Sequence, residues 1–411
     1  MLHQDLVLLI FIITYIFIAI QNITWLKIDR PSGVIIGSTM LLLTGVLTIR
    51  EAYNFIDWNV ITFLLGMLIM IAFLEYAGFF EHVALWLVRI SHSTAQLLFT
   101  TIIASDLLSA FFVNDTICLL FTPIILKATR YLKISPLPYL IAIATASNIG
   151  SALTITGNPQ NMYIGIQSAI PFVKFFLLMI LPVIAGITID YLIIWFIFRK
   201  EINHTALSPV QIEAPELKTT LMYKTLGALS ITVILFICGI QYPFAALIGA
   251  SLILLIAQVP PRHILGELDW TILLFFAGLF VVMGAFEKAG YMEKIVAFAL
   301  QYIRHDNFAG FLGLSAFTAL LSNIVSNVPA VILMRPLIER LGGGDRLWLL
   351  LAMSSTFAGN LTLVGSVANL IVAEKAHAEN YHLGFLSYFK VGFFVTALTI
   401  FIGTLWLYFI H

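Results

Sequence analysis

The chain has 411 residues, of which 61% are hydrophobic and only 10% charged, against about 25% charged in soluble domains. Acidic and basic side chains balance at 21 each, so there is no basic footprint for nucleic acid. Two cysteines provide neither a disulfide framework nor a metal cluster. What remains is an all-α integral membrane protein with many helical spans, each needing about 20 apolar residues.

In chain order, apolar runs long enough to cross a bilayer lie at 6–22, 33–49, 58–77, 137–169 and 173–198. The first follows Asp5 without basic residues or a small-x-small cleavage site, so it reads as a retained helix rather than a signal peptide. A polar stretch over 199–222 (RKEINHTALSPVQIEAPELKTT) is the natural linker. Further runs follow at 223–240, 243–258, 268–289, 346–372 and 385–410. Each half also holds a short amphipathic piece, 80–91 and 292–304. Each piece precedes a long apolar segment with polar residues at its middle, 95–130 and 308–338, which reads as a re-entrant hairpin.

The halves repeat. Pro31, Gly37, Asp57, Trp58, Glu75 and Gly78 recur in order, at a constant offset, as Pro243, Gly249, Asp269, Trp270, Glu287 and Gly290. LLSAFFVN (107–114) meets LLSNIVSN (320–327). Leu153, Thr154, Gly157 and Asn161 meet Leu361, Thr362, Gly365 and Asn369. An ordered series of this kind marks an internal repeat. The expected domains are therefore a first repeat over 1–198, the linker, and a second repeat over 223–411. Five true spans per half, an odd number, make the repeats inverted. The larger share of Lys and Arg then puts the linker in the cytoplasm and both termini outside. Inverted repeats with broken helices at matching places are the pattern of secondary transporters.

Irregular backbone at membrane depth is tolerated only inside protein or against a wet cavity. Gly157, Asn158 and Pro159 must break a helix, and Thr156, Asn161 and the preceding Asn148 add neutral donors and acceptors, with Gln160 beside them. The second break offers Asn360, Thr362, Gly365, Ser366 and Asn369. The hairpin tips supply Asn114, Asp115 and Thr116 in the first half, and Ser322, Asn323, Ser326 and Asn327 in the second. Two tips and two breaks meeting near the midplane would form one pseudo-symmetric solute or ion site. The blander reading is four ordinary kinks whose side chains satisfy local backbone. Asp115 is the acid expected to couple transport, by exchanging a proton or by holding sodium with Asn114, Thr116 and Asn158. Its plainer role is a helix cap.

VNDTICLLFTPI (113–124), SNIGSALTITGNPQNMYIG (147–165), SNVPAVIL (326–333) and GNLTLVGSVAN (359–369) resemble the ion-transporter superfamily, in its arsenite-permease and citrate-transporter-like branch. The resemblance implies a mobile transport domain moving as an elevator, a dimerising scaffold and a plasma-membrane location. It also implies gradient-driven export of arsenite, antimonite or another small oxyanion. Sodium-coupled dicarboxylate relatives carry Ser-Asn-Thr at both tips. Here the tips read Val-Asn-Asp and Ser-Asn-Val, which speaks against carboxylate–sodium symport, the alternative alongside a sodium/proton antiporter. No nucleophile–base pair or metal-ligand spacing suggests an enzyme or a cofactor, and two hairpins in inverted repeats argue against a channel.

Overall fold

The computed structural model describes residues 2–20, 29–202, 206–207, 216–302 and 307–410. Twenty α-helices form two series of ten. The first series is α1 (Leu2–Ile20), α2 (Arg30–Leu43), α3 (Ile49–Phe55), α4 (Trp58–Tyr76), α5 (Phe79–Ile90), α6 (Thr94–Phe111), α7 (Asn114–Leu132), α8 (Leu137–Ser151), α9 (Pro159–Ser168) and α10 (Phe172–Ile197). The second is α11 (Thr219–Ile237), α12 (Tyr242–Ile256), α13 (Pro261–Glu267), α14 (Trp270–Lys288), α15 (Tyr291–Tyr302), α16 (Phe308–Val325), α17 (Asn327–Arg340), α18 (Asp345–Ala358), α19 (Val367–Ala378) and α20 (Phe385–Phe409). Among the described residues, seven helices are long and apolar enough to cross a membrane by length and composition: α4, α6, α10, α11, α14, α16 and α20.

The repeat extends to backbone detail. Asp57 and Asp269 each start a helix by accepting from an N–H two residues on, at 3.0 and 3.1 Å. Gly78 and Gly290 both turn the chain at φ +78°. A Cβ on Gly66 of α4 would lie 2.7 Å from the Ala246 carbonyl carbon of α12. At the equivalent crossing, a Cβ on Gly278 of α14 would lie 2.9 Å from Val34 of α2. Small residues let these backbones approach, as membrane helices require in the absence of a hydrophobic drive.

Those crossings join one half to the other. α4 packs on α12, α14 on α2 and α10 on α20, while α6 packs on α8 and α16 on α18. The repeats thus interlock and do not form two separate bodies. Two short helices were not foreseen. The run expected at 33–49 stops at Leu43, the chain turns at Gly45 with φ +71°, and a Thr48–Glu51 capping box starts α3. α13 is its mate. α11 begins at Thr219, inside the stretch expected as linker. The described linker residues lie against the first half: Leu207 N–H donates to the His92 carbonyl and Lys218 N–H to that of Ala77, both at 3.0 Å.

Candidate solute and ion site

Both expected breaks and both tips are present. α8 ends at Ser151 and α9 restarts at Pro159; α18 ends at Ala358 and α19 restarts at Val367. One asparagine knits each break in the same way. Asn161 Nδ2 donates to the Ser151 and Thr154 carbonyls at 3.1 and 3.0 Å. Asn369 Nδ2 donates to the equivalent Gly359 and Thr362 carbonyls at 2.7 and 3.1 Å. Each break is also tied to its hairpin. Thr154 Oγ1 donates to the Ala110 carbonyl of α6. Thr362 Oγ1 donates to Asn323 Oδ1 of α16 at 3.0 Å, and Asn323 Nδ2 donates to the Ala358 carbonyl at 2.8 Å.

Asn148, buried on α8, joins the first break to the first tip and to the second break, which Asn323 in turn ties to the second tip. Its Oδ1 accepts from Asn114 Nδ2 of the first tip at 2.9 Å and from Ser366 Oγ of the second break at 3.0 Å. Its Nδ2 donates to Asn360 Oδ1 and Asn369 Oδ1 at 2.9 and 3.0 Å. Tips and breaks therefore do converge.

Beside this knot lies a cavity of about 260 Å³. Asn114, Asp115, Ser326, Asn327 and Ser366 line it, with Pro159 and Gln160 at the start of α9. The starts of α2 (Asp29, Arg30, Pro31) and α14 (Asp269, Thr271, Ile272) also line it. Phe275, Phe276, Val367 and Ile371 supply an apolar wall. Three helices begin at this cavity without a side-chain cap: α7, α17 and α19. At α7 the Asn114 and Thr116 N–H groups donate to the Gly157 and Val113 carbonyls, so it is the open starts of α17 and α19 that favour a negative or hydrogen-bond-accepting ligand. Asp115 sits in the first turn of α7 and offsets that end itself.

The other candidates serve the backbone. Asn158 caps α9 by accepting from Asn161 N–H at 2.8 Å, and its Nδ2 donates to Ser151 and Thr356. Thr156 contacts Thr154 Oγ1 and borders a different cavity, against Met67, Phe111 and Phe112. Thr116 is half-buried and off the cavity lining. Of the expected sodium set, Asn114 and Asp115 line this cavity while Thr116 and Asn158 do not, although Asn114 N–H donates to the Gly157 carbonyl beside Asn158 at 3.2 Å. Ser322 is buried with its hydroxyl unpartnered. Gly157 and Gly365 are required for close approach and not for unusual angles, since neither has positive φ. A Cβ on Gly157 would lie 2.3 Å from the Ser151 carbonyl oxygen, and one on Gly365 2.7 Å from Asn323 Oδ1.

Arg30 is the residue that sequence reading missed. Its guanidinium NH1 lies 3.3 Å from Ser326 Oγ, and its Nε is buried without a partner. Ser326 holds φ +75° and ψ 160°, a conformation favoured almost only by glycine. Beside it, Asn327 is buried with Oδ1 unpartnered. A lone Arg at the start of a span reads as an interfacial charge, and its repeat mate is Tyr242, so neither pattern nor repeat pointed to it. Arg335, the basic residue that follows the second hairpin tip on α17, lies at another cavity and is engaged by Glu339 at 2.7 Å. Asp190 accepts from Thr145 Oγ1 at 3.0 Å within the protein, between α10 and α8.

The chain is similar over its whole length to known transporters. It is 27% identical to a Dictyostelium discoideum protein named as transporter arsB, over 96% of this chain and 90% of that one. It is 28% identical to the silicon efflux transporter LSI3 of Oryza sativa subsp. japonica, over 86% of this chain and 87% of that one. A 46 kDa membrane protein of Mycobacterium leprae matches at 27% over 97% of each. The Alcanivorax borkumensis YdaH transporter shares the fold, with TM-score 0.57 and 14% identity over 99% of this chain and 97% of that one. Residues 8–348 match the citrate transporter family. With helices that break where a membrane protein must enclose a site, and with that match across most of its length, the chain belongs to this family of membrane transporters.

Proposed function

We propose that the protein is a secondary active transporter exporting a small hydroxyl-rich oxyacid, arsenite or antimonite first, across the plasma membrane of a bacterium or archaeon. The observation that carries this reading is the charge balance of the cavity. Among the described lining residues Arg30 is the one basic side chain, beside the acids Asp29, Asp115 and Asp269. A tricarboxylate would bring further negative charge to a site already rich in it. Arsenite is an uncharged trihydroxide near neutral pH, whose O–H groups donate to Asp115 while its oxygens accept from Arg30 and the open N–H groups of α17 and α19. The relatives named for arsB and for silicon efflux support this, because silicic acid is also an uncharged hydroxide.

Asp115 is the coupling residue in this reading. A proton suits it better than sodium, since Asn158 is engaged in capping α9 and Thr116 is off the cavity lining. Inverted repeats, with both termini outside and the linker inside, place three exposed ion pairs between helix ends that share a face: Arg130–Glu379, Lys174–Asp345 and Lys288–Glu51. A homodimer packed through the scaffold and an elevator movement are parts of the same proposal.

The test is arsenite and antimonite flux in proteoliposomes under imposed proton or sodium gradients. Saturable, gradient-driven accumulation is expected. Asp115→Asn should keep expression and fold but lose accumulation against a gradient. Non-saturating conduction, or absence of flux with both solutes, would reject the reading. Normal accumulation by the variant would make Asp115 a cap and move coupling elsewhere.

A further inference from the structure

The end of α9 away from the cavity is fastened to α4 and α12 by two hydrogen bonds. Gln167 Nε2 donates to Asp57 Oδ2 at 2.6 Å. Tyr242 OH donates to the Ile170 carbonyl just beyond α9 at 2.7 Å. Asp57 caps α4 and Tyr242 begins α12. Under the repeat, Asp57 corresponds to Asp269, Tyr242 to Arg30, Gln167 to Lys375 and Ile170 to Ala378. Asp269 and Arg30 both line the cavity. Val367 and Ile371 line the cavity on a face of α19 that Lys375 continues one turn further out. So the four positions that fasten one side are joined by no equivalent bond on the other among the described residues. Asp269 accepts from Thr271 through Oδ1, which leaves Oδ2, the oxygen that Asp57 uses for Gln167. No ion pair joins Lys375 to an acid among the described residues.

We propose that a second end state exists in which α19 closes onto α14 and α2. In it Lys375 pairs with Asp269, Arg30 donates to the Ala378 carbonyl, and the Gln167–Asp57 and Tyr242–Ile170 bonds part. The proposal rests on the transporter reading, because two end states are what alternating access requires. It also deepens that reading. When Arg30 turns to Ala378 the cavity loses its basic side chain, so solute is held less tightly in the state that releases it. The first latch joins an amide to an acid and the second joins an ammonium to an acid. The second latch should therefore weaken with added salt more than the first.

Two cysteine pairs test this in the full chain, in membrane vesicles, after Cys118→Ala and Cys238→Ala. One pair is Asp57→Cys with Gln167→Cys; the other is Asp269→Cys with Lys375→Cys. Each pair alone should crosslink with a short bifunctional thiol reagent. In a chain carrying all four, the two crosslinks should never coexist. The readout needs no solute, so an error in naming arsenite leaves it unaffected. Crosslinking of the first pair shows that the chain is folded; if the second pair then never crosslinks, or if both links form in one molecule, the second state is wrong. In arsenite flux, Lys375→Gln restores the amide of the other latch and should keep at least half of the rate. Lys375→Glu should lose about tenfold and regain it with Asp269→Lys. Unchanged flux for Lys375→Glu would also overturn the latch.

Discussion

The two halves build the same backbone and put it to different use. In the first, Asn158 caps α9, and Asp115 puts an acid in the uncapped first turn of α7. In the second, Ser366 turns from its own helix to Asn148, and Ser326 turns to Arg30. The starts of α17 and α19 are left open to the cavity. The repeat thus supplies a symmetric frame, and divergence at a few side chains makes one site with an acid on one wall and donors on the other. It is this asymmetry on which the proposal of a hydroxyl-rich solute rests.

The largest effect is expected where the halves are joined. Asn148→Ala would strip partners from Asn114, Ser366, Asn360 and Asn369 at once. Each unsatisfied buried group costs about 1–3 kcal/mol. Loss of thermal stability in detergent by more than ten degrees, with loss of flux, is the expected result. A variant as stable as wild type would mean that water replaces the knot.

The breaks come next, and they differ. The missing Cβ of Gly157 faces a backbone oxygen, whereas that of Gly365 first meets the end of the Asn323 side chain. Backbone cannot move aside as a side chain can. Gly157→Ala should abolish transport while insertion survives, and Gly365→Ala should keep part of the rate; Val at either position should stop it. Equal rates for the two Ala variants would remove the distinction.

The smallest effect concerns the tips. The first turns through Val113 at φ −52°, an ordinary conformation, and the second through Ser326 at φ +75°. Relief of such strain is worth about 1–3 kcal/mol. Ser326→Gly should raise the unfolding midpoint and weaken arsenite binding severalfold, because the Oγ that orients Arg30 is lost. A lower midpoint would show that Ser326 is not strained.

Much of this was legible in the sequence. Gly, Asn, Pro and Ser inside apolar runs located both tips and both breaks, because a membrane helix admits those residues together only where it stops. The Asn161 and Asn369 pairing was legible as a repeat. What could not be read was direction. Thr156 and Asn158 are polar residues at a break, as Ser366 is, yet packing turns the first two to the backbone and places Ser366 on the cavity wall. Arg30 was hidden because its neighbours in space lie on α17, a whole half away in sequence. The stop at Leu43 was hidden because apolar residues continue past it and only the turn at Gly45 ends the helix.

Antimony scatters strongly enough to be located without assumptions about its ligands. An anomalous difference map from crystals grown with antimonite should show one peak, between Asp115 on one wall and the starts of α17 and α19 on the other, within reach of Arg30. The peak should vanish in Arg30→Ala crystals at the same concentration. A peak at the cavity of Arg335 and Tyr163, or none at a concentration that saturates flux, would contradict a site shared between the two halves.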